Sequence, residues 1–509
     1  MRLLLAAVAV GAAMAGCTSE PESTGPPTAL SRAGDLHVDN VILISIDSLR
    51  ADHLGVYGYR RPTSPTLDAL AASGLVFDRA YSTTSWTLPA HTAMFTGLDD
   101  RAHGVRHHKT KVAAEIPILA EELAEHGVNT IGFYSGPYLH PTFGLGRGFE
   151  QYWNSSSVLP KDANRAVGLT HYASLKDVTN PIILANVRKW LAGGGPIGER
   201  NFIFIHMWDV HYAYIPPERY LQIFDPDYEG SIDGTVFHNK AVRDGMPPRD
   251  LEHLIARYDG EIRYTDDTVR EILDLLEAKG LLASAAVIVV ADHGDEFFEH
   301  HGKGHHRTLF EEVLHVPLII HIPGRAPTQP RIDKIVSLID IYPTACGLLD
   351  VPCQQLGNAS ESLVEFFTKG NAFASRNDAL ADLTVPELLF RHDGIVTPEG
   401  KVVRWFNTAD HTLRLVRDDL PDQPLPPTAA LGDEPTLFFS PSNLVDEQHG
   451  EFVKPGAAGE TIARVVERLH RRANEADQLH DRLVPSTADN TTVIDEQTKQ
   501  RLRALGYMK

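Results

Sequence analysis

Three short apolar runs, far apart in the chain, each stop at acidic or imidazole side chains. Residues 41–46 (VILISI) run into Asp47. Residues 202–208 (FIFIHMW) run into Asp209 and His211, and residues 286–291 (AVIVVA) run into Asp292 and His293. Runs so short and so uniformly apolar suit strands buried on both faces. Residues 128–134 and 317–322 read as further strands. Helical spacing fills the stretches 64–73, 116–125, 182–191 and 251–279, with Gly127 and Gly280 closing two of them. Strands alternating with helices predict an α/β fold: a large, mostly parallel but mixed sheet sandwiched by helices. Such sheets bind ligands outside the carboxyl ends of their strands, so the three polar run ends are expected to converge.

A second stretch, residues 85–97 (SWTLPAHTAMFTG), reads as an exposed turn that enters a helix. Pro89 has a fixed, helix-compatible φ and no N–H to lose, so it suits a first helical turn. That puts Thr87 near the cap position, where a hydroxyl ordinarily accepts a bond from an orphan N–H. The same place is also where anions bind, because free N–H groups and the helix dipole favour negative charge. With a metal ion to lower its pKa, a hydroxyl there is a nucleophile aimed at an anionic ester.

Metal ligands are available. Many of the 25 His residues cluster: His103, His107 and His108; His206 and His211; and His293, His300, His301, His305 and His306. Asp47 alone is an ordinary strand-end cap, and Asp292-His293-Gly294 alone is an ordinary turn. Together, Asp47, Thr87, Asp292 and His293 form a ligand shell for one divalent ion with the nucleophile oxygen included. A formal charge of −20 argues against wrapping a nucleic-acid backbone, which needs a basic face. It leaves an anionic substrate open, since a metal reverses the field inside one pocket.

The first 17 residues (MRLLLAAVAVGAAMAGC) are a targeting segment: Arg2, a short apolar run, then small residues before Cys17. Ala15-Gly16-Cys17 resembles a bacterial lipoprotein processing site, with Cys17 as the lipidated residue. The alternative is a secretory signal cleaved nearby. The first places the protein on the cell envelope, anchored to a membrane surface; the second secretes it. Residues 18–37 are a polar tether. Cys346 and Cys353 either pair in an oxidising compartment or stay as small buried thiols. A catalytic domain is expected over 38–380. From 381 to 509 the texture changes: 388–396, 401–406 and 412–416 suggest a small antiparallel sheet, and 461–474 a helix.

The sequence resembles the sulfatase family of the alkaline-phosphatase superfamily over nearly the whole mature chain. The resemblance is carried by ILISIDSLRADHLGVYGY through SWTLPAHTAMFTGL, then YDGEIRYTDDTVREILDLLEAKGLL, VIVVADHGDEF, LFEEVLHVPLII, LFFSPSNLVDEQ and the terminal LRALGY. It implies metal ligands at Asp47, Asp292 and His293, with Ser48 where a second carboxylate often stands. It implies a nucleophile at Thr87, in place of the Cys or Ser of C/S-x-P-x-R, and His91 in place of the Arg. Thr carries an extra methyl and is not expected to give the formylglycine of the usual sulfatases. Thr is the nucleophile in phosphodiesterase, phosphomutase and phosphoglycerol-transferase relatives, which tilts the expectation towards phosphorus esters. His211 falls at the family His that meets the ester or its leaving group, and His108 near an Asn that donates to the oxyanion. His305, His306 and Lys303 compete for the family's substrate-binding Lys. Arg50 reads as a support for the metal carboxylates. The cofactor is one divalent ion among Ca, Mg, Mn and Zn, with Ca or Mn favoured. The substrate is a sulfated or phosphorylated glycan, lipid or small molecule. The competing functions are a phospho-headgroup transferase, compatible with a membrane tether, and a non-catalytic lipoprotein that binds anions or glycans.

Overall fold

The computed structural model describes residues 36–156, 179–193, 197–357, 359–385, 390–407, 436–439, 451–453 and 460–486, with a few single positions beyond. The targeting segment with Cys17, nearly all of the tether, the stretch 412–416 and the terminal LRALGY lie outside the described residues.

β1 (Asn40–Ile46), β5 (Asn201–Met207) and β6 (Ala285–Ala291) are seven-residue strands buried at every position. They are neighbours at the centre of a nine-stranded sheet. The other members are β2 (Leu75–Tyr81), β3 (Asn129–Tyr134), β4 (Gln151–Asn154), β7 (Leu318–His321), β8 (Arg331–Ser337) and a two-residue strand, His315–Val316. The order is β8-β2-β7-β6-β1-β5-β3-β4, with His315–Val316 off the path beside β2. β7 and His315–Val316 run against the rest, so the expected mixed, mostly parallel sheet is observed.

The central register positions the site. Ile46 lies beside both Met207 and Ala291, and Ser45 beside both His206 and Val290. Asp47 and Asp292 are therefore the next residues on adjacent parallel strands. Because side chains alternate, Ser45 and Asp47 share a face with His206 and Asp292.

Two sets of helices flank the sheet. α1 (Pro65–Ala72) and α4 (Asn180–Ala192) pack on the long α5 (Pro248–Glu277), while α2 (Thr87–Thr96), α3 (Leu119–Glu125) and α6 (Ile341–Leu348) pack on one another. Cys346 and Cys353 form a disulfide at the end of α6, which resolves the choice left by the sequence.

A second, antiparallel sheet takes its strands in chain order: β9 (Ala379–Val385), β10 (Phe390–Thr397), β11 (Gly400–Asn407), β12 (Thr436–Phe439) and β13 (Glu451–Val453). Its helix, α7 (Glu460–Leu483), runs nine residues past the expected end and packs on β10 and β11. Val465, Leu469, Ala473, Ala476 and Leu479 are the buried stripe at three- and four-residue spacing that docks it. Among the described residues no helix is long and apolar enough to cross a membrane.

Candidate active site and metal centre

The helix behind the site starts one residue earlier than the sequence suggests. Trp86 is the cap residue and makes no side-chain cap bond, so Thr87 is the first helical residue rather than the cap. All ten residues of α2 are buried. The helix closes at Gly97, whose φ of +67° is strained for any side chain and whose neighbours Ser360 and Tyr342 would have to give way slightly to a Cβ. Thr87 Oγ1 therefore sits on a rigid N-terminus facing the strand ends. It lies 3.4 Å from Asp47 Oδ2 and 3.4 Å from His293 Nε2.

The carboxylates are held from behind. Ser48 adopts φ +57°, which turns its Oγ–H onto Asp47 Oδ1 at 2.8 Å and its N–H onto Asp292 Oδ1 at 3.1 Å. His293 N–H also donates to Asp292 Oδ1. The Tyr258 hydroxyl donates to the Ser48 carbonyl and accepts from Arg50 N–H. Arg50 in turn binds Asp52, Glu299 and the Asp295 carbonyl; among the described residues its guanidinium makes no bond to Asp47 or Asp292, the carboxylates it was expected to support.

Several imidazole tautomers follow from backbone carbonyls. His293 Nδ1 is 3.1 Å from Gly294 O, so Nδ1 carries the proton and Nε2 offers a lone pair towards Asp292 Oδ2 (3.4 Å) and Asp47 Oδ1 (3.8 Å). His91 Nδ1 donates to Thr87 O at 2.9 Å, and its Nε2 is 2.9 Å from Ser45 Oγ. Both ring nitrogens of His91 are thus engaged inward. It braces the first turn of α2, and its Nδ1 also lies 3.6 Å from Asp292 Oδ2. His206, which the sequence did not single out as a site residue, points its Nε2 at Asp47 Oδ2 from 3.4 Å.

The opposite rim is aromatic and imidazole-rich. His211 stacks on Trp208 at 3.9 Å between ring centroids and lies 4.9 Å from His305. His305 is 4.2 Å from His293 and donates from Nδ1 to Asp295 Oδ1 at 2.5 Å, while Tyr214 O–H donates to Asp295 Oδ2 at 2.5 Å. Ser48 Oγ is 3.5 Å from His305 Nδ1. His306 packs on Trp86 at 4.5 Å and interacts electrostatically with His107 and His108. Of the three residues competing for the Lys position, Lys303 turns its ammonium to the Val242 carbonyl at 2.8 Å, and His305 lies nearest the carboxylates. Asp209, a strand-end acid like Asp47, does different work: it accepts from Thr179 N–H, Thr179 Oγ1–H and Asn180 N–H and so caps α4. The Thr-Asn-Pro ahead of residues 182–191 was the signal for that cap.

Burial, followed by its neighbours' charges, sets the electrostatics. Burial would raise Asp47, but the facing His206, His211 and His293 hold it well below the usual carboxylate range. Burial and then the Asp47 charge push Asp292 well above that range. Burial lowers His293 and His305, His211 to about 4, and His91 and His306 to about 3. Burial thus disfavours charge on His91, His211, His293, His305 and His306, and the two carboxyls cannot both ionise without a cation. Buried Asp292 Oδ2 and His206 Nε2 have no hydrogen-bond partner. Asp47, Asp292 and His293 present ligand atoms within 4.8 Å of one another. The residues present therefore fit a divalent cation.

A family model described as Sulfatase matches residues 39–351. Human iduronate 2-sulfatase is 23% identical over 403 residues, which cover 68% of this chain and 70% of that protein. The phosphonate monoester hydrolase of Agrobacterium radiobacter shares the fold with a TM-score of 0.62 at 18% identity, covering 87% of this chain and 96% of that one. A protein solved with its substrate D-glucosamine-2-N,6-O-disulfate aligns with a TM-score of 0.64 at 17% identity, covering 87% and 98%.

Proposed function

Because this chain belongs to the sulfatase family, we propose that it is a metal-dependent hydrolase of phosphoric or phosphonic esters within that family of sulfate- and phosphonate-ester hydrolases, with Thr87 as its nucleophile. The observation that carries this is the position of Thr87 Oγ1, at the N-terminus of α2 and 3.4 Å from both Asp47 Oδ2 and His293 Nε2. A divalent cation held by Asp47, Asp292 and His293 would supply charge neutralisation and a lowered pKa for the Thr87 hydroxyl.

The chain's own groups do the rest. Thr87 Oγ forms a bond to phosphorus as the bond to the leaving ester oxygen breaks. The backbone N–H groups of the first turn of α2 face the non-bridging oxygens. The Thr87 hydroxyl proton passes to Nε2 of His211 or His305, which hands it to the leaving oxygen, and His306 with His108 flanks the substrate on the Trp86 side. Water then attacks phosphorus, giving a proton to the same imidazole, which passes it to Thr87 Oγ as the Thr87–phosphorus bond breaks. The substrate class is an anionic ester on a glycan, lipid or small molecule. The targeting segment supports export and attachment to the cell envelope through Cys17, which a Cys17→Ser variant tests by its release from the membrane fraction.

The experiment is turnover of an aryl panel (sulfate, phosphate monoester, phosphodiester, phosphonate ester) by metal-loaded protein and by Thr87→Ala and Thr87→Ser. A phosphorus ester should turn over and be lost by at least about 10³-fold in Thr87→Ala, with partial retention in Thr87→Ser. Preferential turnover of the sulfate would overturn the phosphorus assignment. Tight binding of a panel member without turnover, unchanged in Thr87→Ala, would favour the binding lipoprotein.

A further inference from the structure

The two-residue strands Glu296–Phe297 and Lys303–Gly304 pair as a hairpin that delivers His305 and His306 to the site. The hairpin is fastened to the loop 235–246. Lys303 Nζ donates to the Val242 carbonyl at 2.8 Å, and His301 Nδ1 lies 3.0 Å from Asp244 Oδ2. Phe237 of that loop is half-buried and packs on the backbone of Gly304, where a Cβ would stand 3.0 Å from Phe237 Cζ and 3.2 Å from Tyr212 Cε1. With a φ of +71°, Gly304 permits this close approach. Tyr212 ties Phe237 to the site: its ring is 4.8 Å from Phe237 and 4.9 Å from His305, which is 4.2 Å from His293. One ring, Tyr212, therefore separates Phe237 from His305.

Two cations flank the Phe237 ring. Lys303 Nζ is 5.4 Å from its centroid and Arg307 Cζ is 6.0 Å from it, both within cation–π range. Both cations are partly exposed. Arg307 is also close enough to His305 and His306 that, after burial, its charge helps to hold both imidazoles below their usual range. Lys240 and Arg243 are exposed on the facing loop. Across residues 237–246 and 303–307 the one carboxylate is Asp244, and His301 engages it. In a chain of formal charge −20 this rim reverses the sign locally. The bonds of Lys303 to Val242 and of His301 to Asp244 already fasten the two loops, so loop closure does not account for a second cation, Arg307, beside an accessible aromatic edge.

We propose that Phe237, Lys303 and Arg307 form a subsite for the leaving portion of the substrate, and that this portion carries a second anionic group on a ring with an apolar face, such as a sugar. This rests on the reading of the Thr87 site as an ester hydrolase and narrows its substrate to a bis-anionic ester. His305 stands on the leaving-oxygen side of the proposed reaction, so what lies beyond it, past Tyr212, faces the leaving portion. The aromatic edge takes the C–H face of the ring. The guanidinium and the ammonium take the second anion, in surroundings whose packed rings strengthen the attraction.

The test is calorimetric binding of glucose 6-phosphate and glucose 1,6-bisphosphate to the metal-loaded full chain carrying Thr87→Ala, which blocks turnover through Thr87. The bisphosphate should bind about 10–100-fold more tightly than the monophosphate, the value of a hydrogen bond between charged groups. Adding Arg307→Gln should remove most of that ratio while the monophosphate still binds, and Arg307→Lys should keep part of it. Equal binding of the two sugars overturns the subsite, as does a ratio that Arg307→Gln leaves unchanged, and so does the absence of binding by either sugar. If Arg307→Gln fails to fold, Phe237→Leu reads the same preference. The hydrolase reading is judged separately, by turnover of the aryl panel with Thr87 intact. Turnover with equal sugar binding removes the subsite alone, and a preserved ratio without turnover of any ester leaves the anion-binding rim and removes the hydrolase.

Discussion

Asp295 does not need to touch the cation to matter. Its two carboxyl oxygens accept hydrogen bonds from Tyr214 O–H and His305 Nδ1–H, each at 2.5 Å, and so fix which nitrogen of His305 faces the site. Asp295→Asn keeps the volume but opposes an NH₂ to one of those donors. The expected outcome is His305 in its other tautomer, a kcat lowered by about 10–100-fold with KM little changed, and a displaced pH–rate profile. Unchanged kcat with raised KM would assign His305 to ground-state binding. The same lesson of environment over identity explains what the sequence disclosed and hid. Asp47, Asp292 and His293 were legible because polar groups at the ends of apolar runs have few reasons to be there. Asp209 met the same criterion and turned out to cap a helix. His206 was passed over because a lone imidazole in an apolar strand looks like a satisfied core residue, whereas its Nε2 faces Asp47 Oδ2 from 3.4 Å.

At the scale of elements, α2 is the part whose position the site tolerates least. Its N-terminus carries Thr87, and its C-terminus is fixed by Gly97 in the left-handed region. A Cβ there would meet Ser360 Oγ at 3.2 Å and Tyr342 at 3.3 Å. Gly97→Ala should cost about 1–2 kcal/mol from the backbone conformation alone. Chemical denaturation reads that loss, and an unchanged midpoint would show that the turn relaxes freely. Partly exposed positions and interrupted apolar runs kept β2, β4 and β8 from being read, whereas the existence of β1, β3, β5, β6 and β7 was legible, since burial leaves apolar runs. Strand direction was not: residues 317–322 read as one more strand, and nothing in an apolar run says that it lies antiparallel. The one-residue displacement of Thr87 from cap to first helical position has a similar origin. Trp86 is extended and offers no capping oxygen, so propensity alone favours Thr87.

Over the whole molecule, the two sheets are joined by buried ion pairs rather than by apolar surface alone. Arg101 reaches Asp393 and Asp477, Arg106 binds Asp382, and Arg472 meets Asp99 and Asp378. Global stability also carries a pH signature. Burial, then the neighbouring Glu312, raises Glu296 to about 8 from 4.5, and Thr308 O–H donates to it. The folded state keeps this proton between about pH 4.5 and 8, where the unfolded chain has lost it. Its contribution is therefore complete below about 4.5 and lost as pH rises through 8. Denaturation midpoints from pH 5 to 9 should fall more steeply in the wild type than in Glu296→Gln, and parallel curves would remove Glu296 as the cause.

The register that sets Asp47 beside Asp292 also sets an order of events during synthesis. β1 ends at residue 46, and its partners begin at 201 and 285. β2 ends at residue 81 and waits for strands that begin at 315, 318 and 331. At roughly 5–20 residues per second, the central strand of the nascent chain has no partner for on the order of ten to thirty seconds. Both strands thus present unpaired edges while later residues are made, and factors that shield such edges should raise the yield of the folded chain.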